Sequence, residues 1–332
     1  MIRSRVAILG AIILASLAAG EWFARAQLGL GNPPLSVAHP TIEYLFKPNQ
    51  DVRRFGNSVR INAYGMRSYD FSESKPESEF RLLVSGDSVL NGGALTNQAH
   101  LATELLQEKL ETALDRPSVV GNVSAGSWGP GNLAWLCAGY GFFEADVVIL
   151  LISTHDYRDN PKFAPLNPST HPQRRPISAL GEGITRYLPR YLPSLPTWQE
   201  QDHSDGLNVS SSVANNDESE IERGLGDLRA FLELAQAQVP LVIVAQFLER
   251  SELLQEPGEG YFLIRDEAKK LSVPAVSTEI YFHEALQTGP EIFRDNIHIN
   301  ELGQTVLAEA LWDVLWAQLP EGERAMPTYE TQ

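Results

Sequence analysis

Residues 81–93 read RLLVSGDSVLNGG, an apolar run that stops abruptly at a glycine, an acid and a serine. Such a run, bounded by turn residues, has the length and composition of a strand buried on both faces of a parallel sheet. Gly86 permits a tight turn from strand into helix, and Ser88 then sits where the chain leaves the sheet. The backbone N–H groups of that first turn have no helical acceptor of their own and can face an anion.

Similar runs recur at Ser118–Val123, Val147–Ile152 and Leu241–Gln246, with a weaker one at Val273–Val276. Between them lie helical patterns. Leu101, Leu105, Leu106, Leu110 and Leu114 form one stripe, Asn132 is placed to cap a helix running to Phe143, and Asn300 to cap one carrying Leu302, Leu307, Leu311, Val314 and Leu315. Strand and helix alternate, which predicts an α/β fold: a flavodoxin-like, doubly wound parallel sheet of about five strands, with ligands beyond the strands' carboxyl ends.

The chain has 332 residues, 43% hydrophobic and 20% charged, the composition of a globular protein. Once the N-terminus and the polar stretches are set aside, roughly 200 to 250 residues remain to be packed, which suits one domain better than two. A formal net charge of -16 and the lack of a basic patch argue against nucleic acid as a partner. The single cysteine, Cys137, excludes an intrachain disulfide and any multi-cysteine zinc site, and its apolar surroundings predict a buried thiol.

The N-terminus predicts export. Two arginines in MIRSR precede Val6–Gly20, which carries no charge, and Trp22 and Phe23 extend the run as an aromatic interface anchor. A retained anchor over residues 6–23 and a cleaved signal within residues 1–30 both fit. Residues 31–58 read as an irregular linker, and Val59–Arg67 as a short hairpin turning at Gly65 on the edge of the main sheet. The main α/β domain then runs over 59–320, followed by a polar tail, 321–332. From Tyr157 to about Asn216 periodicity disappears, first in YLPRYLPSLP and then in DHSDGLNVSSSVANNDESE, which has the composition of a disordered segment. This insertion is either a lid or a plain surface excursion.

A second chemical signal is RDNIHINELG, where Asp295 precedes His298 by three positions. A turn leading into a helix can aim both side chains at one edge of the sheet, the acid setting the imidazole tautomer and the other ring nitrogen facing a serine. Either motif alone is common; the pair is not.

The Gly-Asp-Ser block at Ser88 and the Asp-x-x-His block at His298 together resemble the SGNH (GDSL-like) hydrolase family. NVSAGSWGPGN adds Gly126, followed by Gly129 and Gly131, in the family's second block. The third block departs: Ser153-Thr154-His155-Asp156 stands where the family has Gly-x-Asn-Asp. The INAYGMR segment is similar to the entry of membrane-anchored, envelope-associated members. The resemblance implies the SGNH hydrolase fold and Ser88, His298 and Asp295 as a triad. It further implies an oxyanion hole from the backbone N–H groups of Ser88 and Gly126, with His155 substituting for the family's asparagine. It leaves Asp87 as a structural residue of the turn.

The implied reaction is removal of an acyl group, acetyl foremost, from an envelope or exported polysaccharide in the periplasm or cell envelope. Its partner is an acylated saccharide or other small ester. Two other readings stand beside it: an O-acyltransferase using the same triad, and a catalytically idle carbohydrate-binding protein in which Trp128 stacks on a sugar. No cofactor and no metal are expected, since neither a His-x-x-x-His pair nor a phosphate-cradling loop occurs.

Overall fold

The computed structural model describes residues 2–188 and 218–324. The apolar N-terminus is one helix, α1 (Ile2–Ala26). Two small antiparallel hairpins follow, β1 (Ser36–His39) with β2 (Glu43–Phe46), and β3 (Gln50–Arg54) with β4 (Asn57–Ile61). Residues 31–58 are therefore not an irregular linker. The expected hairpin also forms differently, because Val59–Ile61 pair back onto β3 across a turn at Phe55 and Gly56, in a sheet of their own. Gly65 does turn the chain, with φ +79°, and the Asn62 side chain accepts the N–H groups of Tyr64 and Met66 at that bend.

The α/β unit begins at β5 (Phe80–Gly86) and continues through α2 (Ser88–Asn91), α3 (Ala102–Leu114), β6 (Ser118–Ser124), α4 (Pro130–Tyr140) and β7 (Val147–Ser153). After the short α5 (Ala179–Glu182) come α6 (Glu218–Gln236), β8 (Leu241–Phe247), α7 (Arg250–Leu254), α8 (Glu259–Lys270), β9 (Ala275–Ser277), α9 (Glu279–Thr288) and α10 (Glu301–Gln318). The five long-range strands pair in parallel in the order β6-β5-β7-β8-β9. This is the doubly wound α/β arrangement that the alternating runs predict.

Two cores explain why those runs are apolar throughout. Successive strand residues point to opposite faces. Leu82, Val84, Ile149 and Leu151 pack with α3 and α10, while Leu83, Val148, Leu150 and Ile152 pack with α4, α6 and α8. Each fully buried aliphatic side chain contributes about 1.5–3 kcal/mol, and a strand covered on both faces has no position left for a polar alternate.

Local capping differs in one place from expectation. Asn300 caps α10 by accepting the Gly303 N–H at 3.0 Å. Asn132 instead lies inside α4, reaching back to accept the Gly129 N–H at 3.0 Å, and α4 ends at Tyr140. Gly129 holds the cap position because a Cβ there would come within 2.0 Å of the Asp159 carbonyl oxygen. Of the insertion, residues 157–188 are described. Most of YLPRYLPSLP, and DHSDGLNVSSSVANN with Asp217, lie outside the described residues, and Glu218–Glu220 open α6.

Candidate active site

Strand β5 delivers the serine. Gly86 is its last residue, and a Cβ there would meet the Leu151 carbonyl oxygen at 3.0 Å and the Leu90 Cβ at 3.3 Å, so a side chain there would crowd the turn against β7. Asp87 caps α2, its Oδ1 accepting the Val89 N–H at 2.9 Å while its Oδ2 accepts the Ser153 hydroxyl at 3.0 Å. Ser88 is thus the first helical residue, and its N–H has no acceptor within the helix. The turn is further clamped by Gln304, whose amide donates to the Val89 carbonyl and accepts the Ala102 N–H.

The loop before α10 delivers the other two groups. Asp295 Oδ1 accepts the N–H groups of Ile297 and His298, both at 2.8 Å, and its Oδ2 lies 2.9 Å from His298 Nδ1. On the other side of the ring, Nε2 lies 3.0 Å from Ser88 Oγ. Partial burial pushes the Asp295 carboxyl upward, but the hydrogen bonds from the His298 ring and backbone outweigh it and hold the acid below its usual range. An ionised Asp295 can only accept, so Nδ1 carries a proton, and in the neutral ring Nε2 is then the acceptor for the serine hydroxyl. The structure thus brings Ser88, His298 and Asp295 into one hydrogen-bonded line.

These residues open into a cavity of about 420 Å³ that Gly126 also lines. Much of its wall comes from segments whose sequence carried no chemical signal. Tyr44, Phe46 and Phe55 enter from the N-terminal hairpins, and His171 and Tyr187 from the insertion. The Tyr44 hydroxyl donates to the Gly126 carbonyl at 2.7 Å, tying the first hairpin to the glycine loop, and its ring lies 4.2 Å from that of His171. Four arginines, Arg54, Arg67, Arg186 and Arg294, also border the space. Arg54 is paired with Glu182 at 2.7 Å. Arg67 is fully buried, donating to Gln98 and to the Gly93 and Thr96 carbonyls, and burial pulls its pKa down to about 9 against the field of Glu104.

Two expectations need correcting. His155 does not line the cavity. Its Nδ1 lies 3.0 Å from Oε1 of Glu249, two residues past the end of β8, and its Nε2 faces Asp156 Oδ1 at 3.5 Å, so Glu249 and the neighbouring acids draw the ring away from the cavity. Trp128 is not a sugar platform either. It is 2% exposed in the core, its ring 6.0 Å from that of Tyr44. Cys137 is buried as expected, and burial pushes its thiol up to about 12.

Glu249 does more than hold His155: its other oxygen accepts the Asn296 amide at 2.5 Å. Asn296 adjoins Asp295, so a chain of contacts runs from the acid–base loop through Glu249 and His155 to the acids beneath the serine turn. Asp87, His155 and Asp156 each place one donor atom within 4.8 Å of the others, a spacing that a cation could bridge. A protonated imidazole already supplies positive charge there. Burial opposes that charge, but the hydrogen bond to Glu249 and the fields of Asp156, Asp159 and Asp87 hold the His155 pKa up to about 10. A folded-state pKa above the unfolded value of roughly 6.5 adds stability that is complete below the unfolded value and is lost as pH rises through the folded one. Melting temperature is therefore expected to fall between about pH 6.5 and pH 10, and His155→Gln to flatten that interval; a wild-type slope that survives the substitution would assign it to another group.

No protein-family model matches the chain, and no curated protein is significantly similar to it. Among solved structures it is similar to a catalytic mutant of Axe2, an acetylxylan esterase from Geobacillus stearothermophilus, at 13% identity and TM-score 0.45, over 71% of this chain and 94% of that one. It is also similar to LAE5, an alpha/beta hydrolase enzyme from the metagenome of Lake Arreo, Spain, at 17% identity and TM-score 0.45, over 73% of this chain and 97% of that one.

Proposed function

We propose that the protein is a serine esterase of the SGNH type that removes an acyl group, acetyl foremost, from an envelope or exported saccharide. The observation that carries this reading is the Asp295–His298–Ser88 line, with spacings of 2.9 and 3.0 Å, opening into the cavity. His298 Nε2 takes the Ser88 proton as Oγ attacks the ester carbonyl, and Asp295 stabilises the imidazolium. The tetrahedral oxyanion is held by the backbone N–H groups of Ser88 and Gly126, two donors that require no side-chain reorganisation. The imidazolium then protonates the departing alcohol, and a water deprotonated by His298 releases the acid from the acyl-enzyme.

Helix α1 supports an envelope location. Its segment Arg3–Ala26 is long and apolar enough to cross a membrane, and an 18-residue window within it has mean hydropathy 1.9 with none of that window buried against the protein. The body, with residues 36–61 counted among its cavity walls, lies on the exported side, since the arginines Arg3 and Arg5 hold the helix start inside.

A panel of aryl esters from acetyl to octanoyl, run beside acetylated saccharides on the full chain, tests the reading. Hydrolysis highest for acetyl, with release of acetate from the saccharides, is expected. Transfer of the acyl group to a saccharide acceptor in preference to water would make the protein a transferase, and saccharide binding without turnover of any ester would reject the enzyme reading.

A further inference from the structure

The last turns of α1 do not stand away from the body. Glu21, near the end of the apolar stretch, accepts the N–H groups of Ala179 and Leu180 at 2.8 and 3.0 Å and the Ser178 hydroxyl at 2.9 Å. Arg25 donates to the Ile177 carbonyl at 2.6 Å. A Cβ on Gly20 would lie 3.3 Å from Leu180 Cδ1, so Leu180 rests directly on the helix at that level. Residues 177–180 of the insertion are thereby pinned at the height of residues 20–25 of α1.

That height has a meaning if α1 spans a bilayer, the reading proposed above on which this inference rests. Twenty helical residues cover the roughly 30 Å of hydrocarbon, which puts Trp22 and Phe23 at the water interface. The insertion exposes large apolar side chains in and after that pinned segment. Ile177 is 98% exposed, Ile184 58% and Leu188 41%, and on α1 Trp22 is 66% and Phe23 51% exposed. In water this surface leaves several large apolar side chains wet. At the interface it continues the apolar surface of the helix, and the N–H groups of Ala179 and Leu180, the Ser178 hydroxyl and the Ile177 carbonyl already have partners in Glu21 and Arg25.

We infer that the segment Ile177–Leu188 is a membrane-contacting surface, which dips Ile177, Ile184 and Leu188 into the headgroup region of the bilayer that α1 crosses. The catalytic cavity is fixed to that surface. Phe55 and Tyr187 pack against the cluster of Ala24, Leu30 and Ala179 at the end of α1, and the same two rings line the cavity. One layer of side chains thus separates the anchor from the site. Such a placement suits an ester presented at the membrane surface, as on a lipid-linked acylated saccharide, over one diffusing freely in solution.

The test uses the full chain in vesicles of phosphatidylethanolamine and phosphatidylglycerol, with an environment-sensitive fluorophore on Ile177→Cys or, separately, Ile184→Cys. The buried Cys137, its thiol pushed up to about 12, leaves the new cysteine as the reactive one. Gln287→Cys, on the exposed side of α9, is the control. Flotation with the vesicles reports the anchor. Among floating protein, blue-shifted emission and several-fold stronger quenching by a nitroxide placed shallow in the acyl chains are expected at positions 177 and 184 relative to 287. Water-like emission at both positions in floating protein overturns the inference and leaves the anchor standing; failure to float removes both.

Discussion

Ser88→Ala is expected to abolish reaction with a fluorophosphonate probe and to lower ester turnover by about 10⁴-fold or more, because residual catalysis would rest on the oxyanion donors and binding alone. The substitution removes one hydroxyl at the start of α2, and the Asp87 cap, the Gln304 clamp and the packing of Val89 and Leu90 do not involve it. The melting temperature should therefore stay close to that of the parent. Mass spectrometry of the labelled parent should place the adduct on Ser88. An adduct on another serine, or turnover of the alanine variant within tenfold of the parent, would remove Ser88 from the mechanism.

Asp295→Asn is expected to cost about 10⁴-fold in turnover with little change in KM, by a different route. The asparagine can keep its carbonyl on the Ile297 and His298 N–H groups, so the loop holds its shape. Its NH₂ then faces His298 Nδ1 and must be accepted there. The ring proton moves to Nε2, and the imidazole meets Ser88 as a donor when the reaction needs an acceptor. Single-turnover rates and melting curves together check this. A folded variant whose turnover stays within tenfold of the parent would show that the imidazole tautomer does not depend on this acid.

How far such an assignment could be read without coordinates varies along the chain. The five strands were legible because burial on both faces leaves a largely apolar run, and β9, an edge strand, gave the weakest signal since its three residues are only half buried. Ser88 and Asp295-x-x-His298 were legible because local chain geometry places them: a strand end, a turn, and a helix start three residues apart. His155 was misassigned for the converse reason. Its position after β7 is the expected one, but where a side chain at a strand end points depends on its neighbours. Glu249, 94 residues later, takes the ring away from the cavity. The adjacency of Glu249 to the end of β8 and of Asn296 to Asp295 was the only available trace of that contact.

The N-terminal hairpins show the same limit at larger scale. Their strands are four or five residues long, too short for a period to emerge, and they gain their stability from a neighbour. Tyr44 reaches the Gly126 carbonyl, and Asn132 donates to the Ile42 carbonyl at 2.8 Å.

By itself, then, the amino-acid order determined the parallel α/β framework, the apolar N-terminal helix and the two segments, at Ser88 and at Asp295-x-x-His298, that meet in the hydrogen-bonded line, because these follow from burial periods and turn chemistry within a few residues. Tertiary structure decided the rest: the aromatic and arginine walls of the cavity, the turn of His155 toward Glu249, the burial of Trp128, and the seating of the insertion on α1 through Glu21. Each of these joins segments tens to hundreds of residues apart. A side chain's local sequence limits which partners it can accept, but only the packed chain determines which one lies within 3 Å.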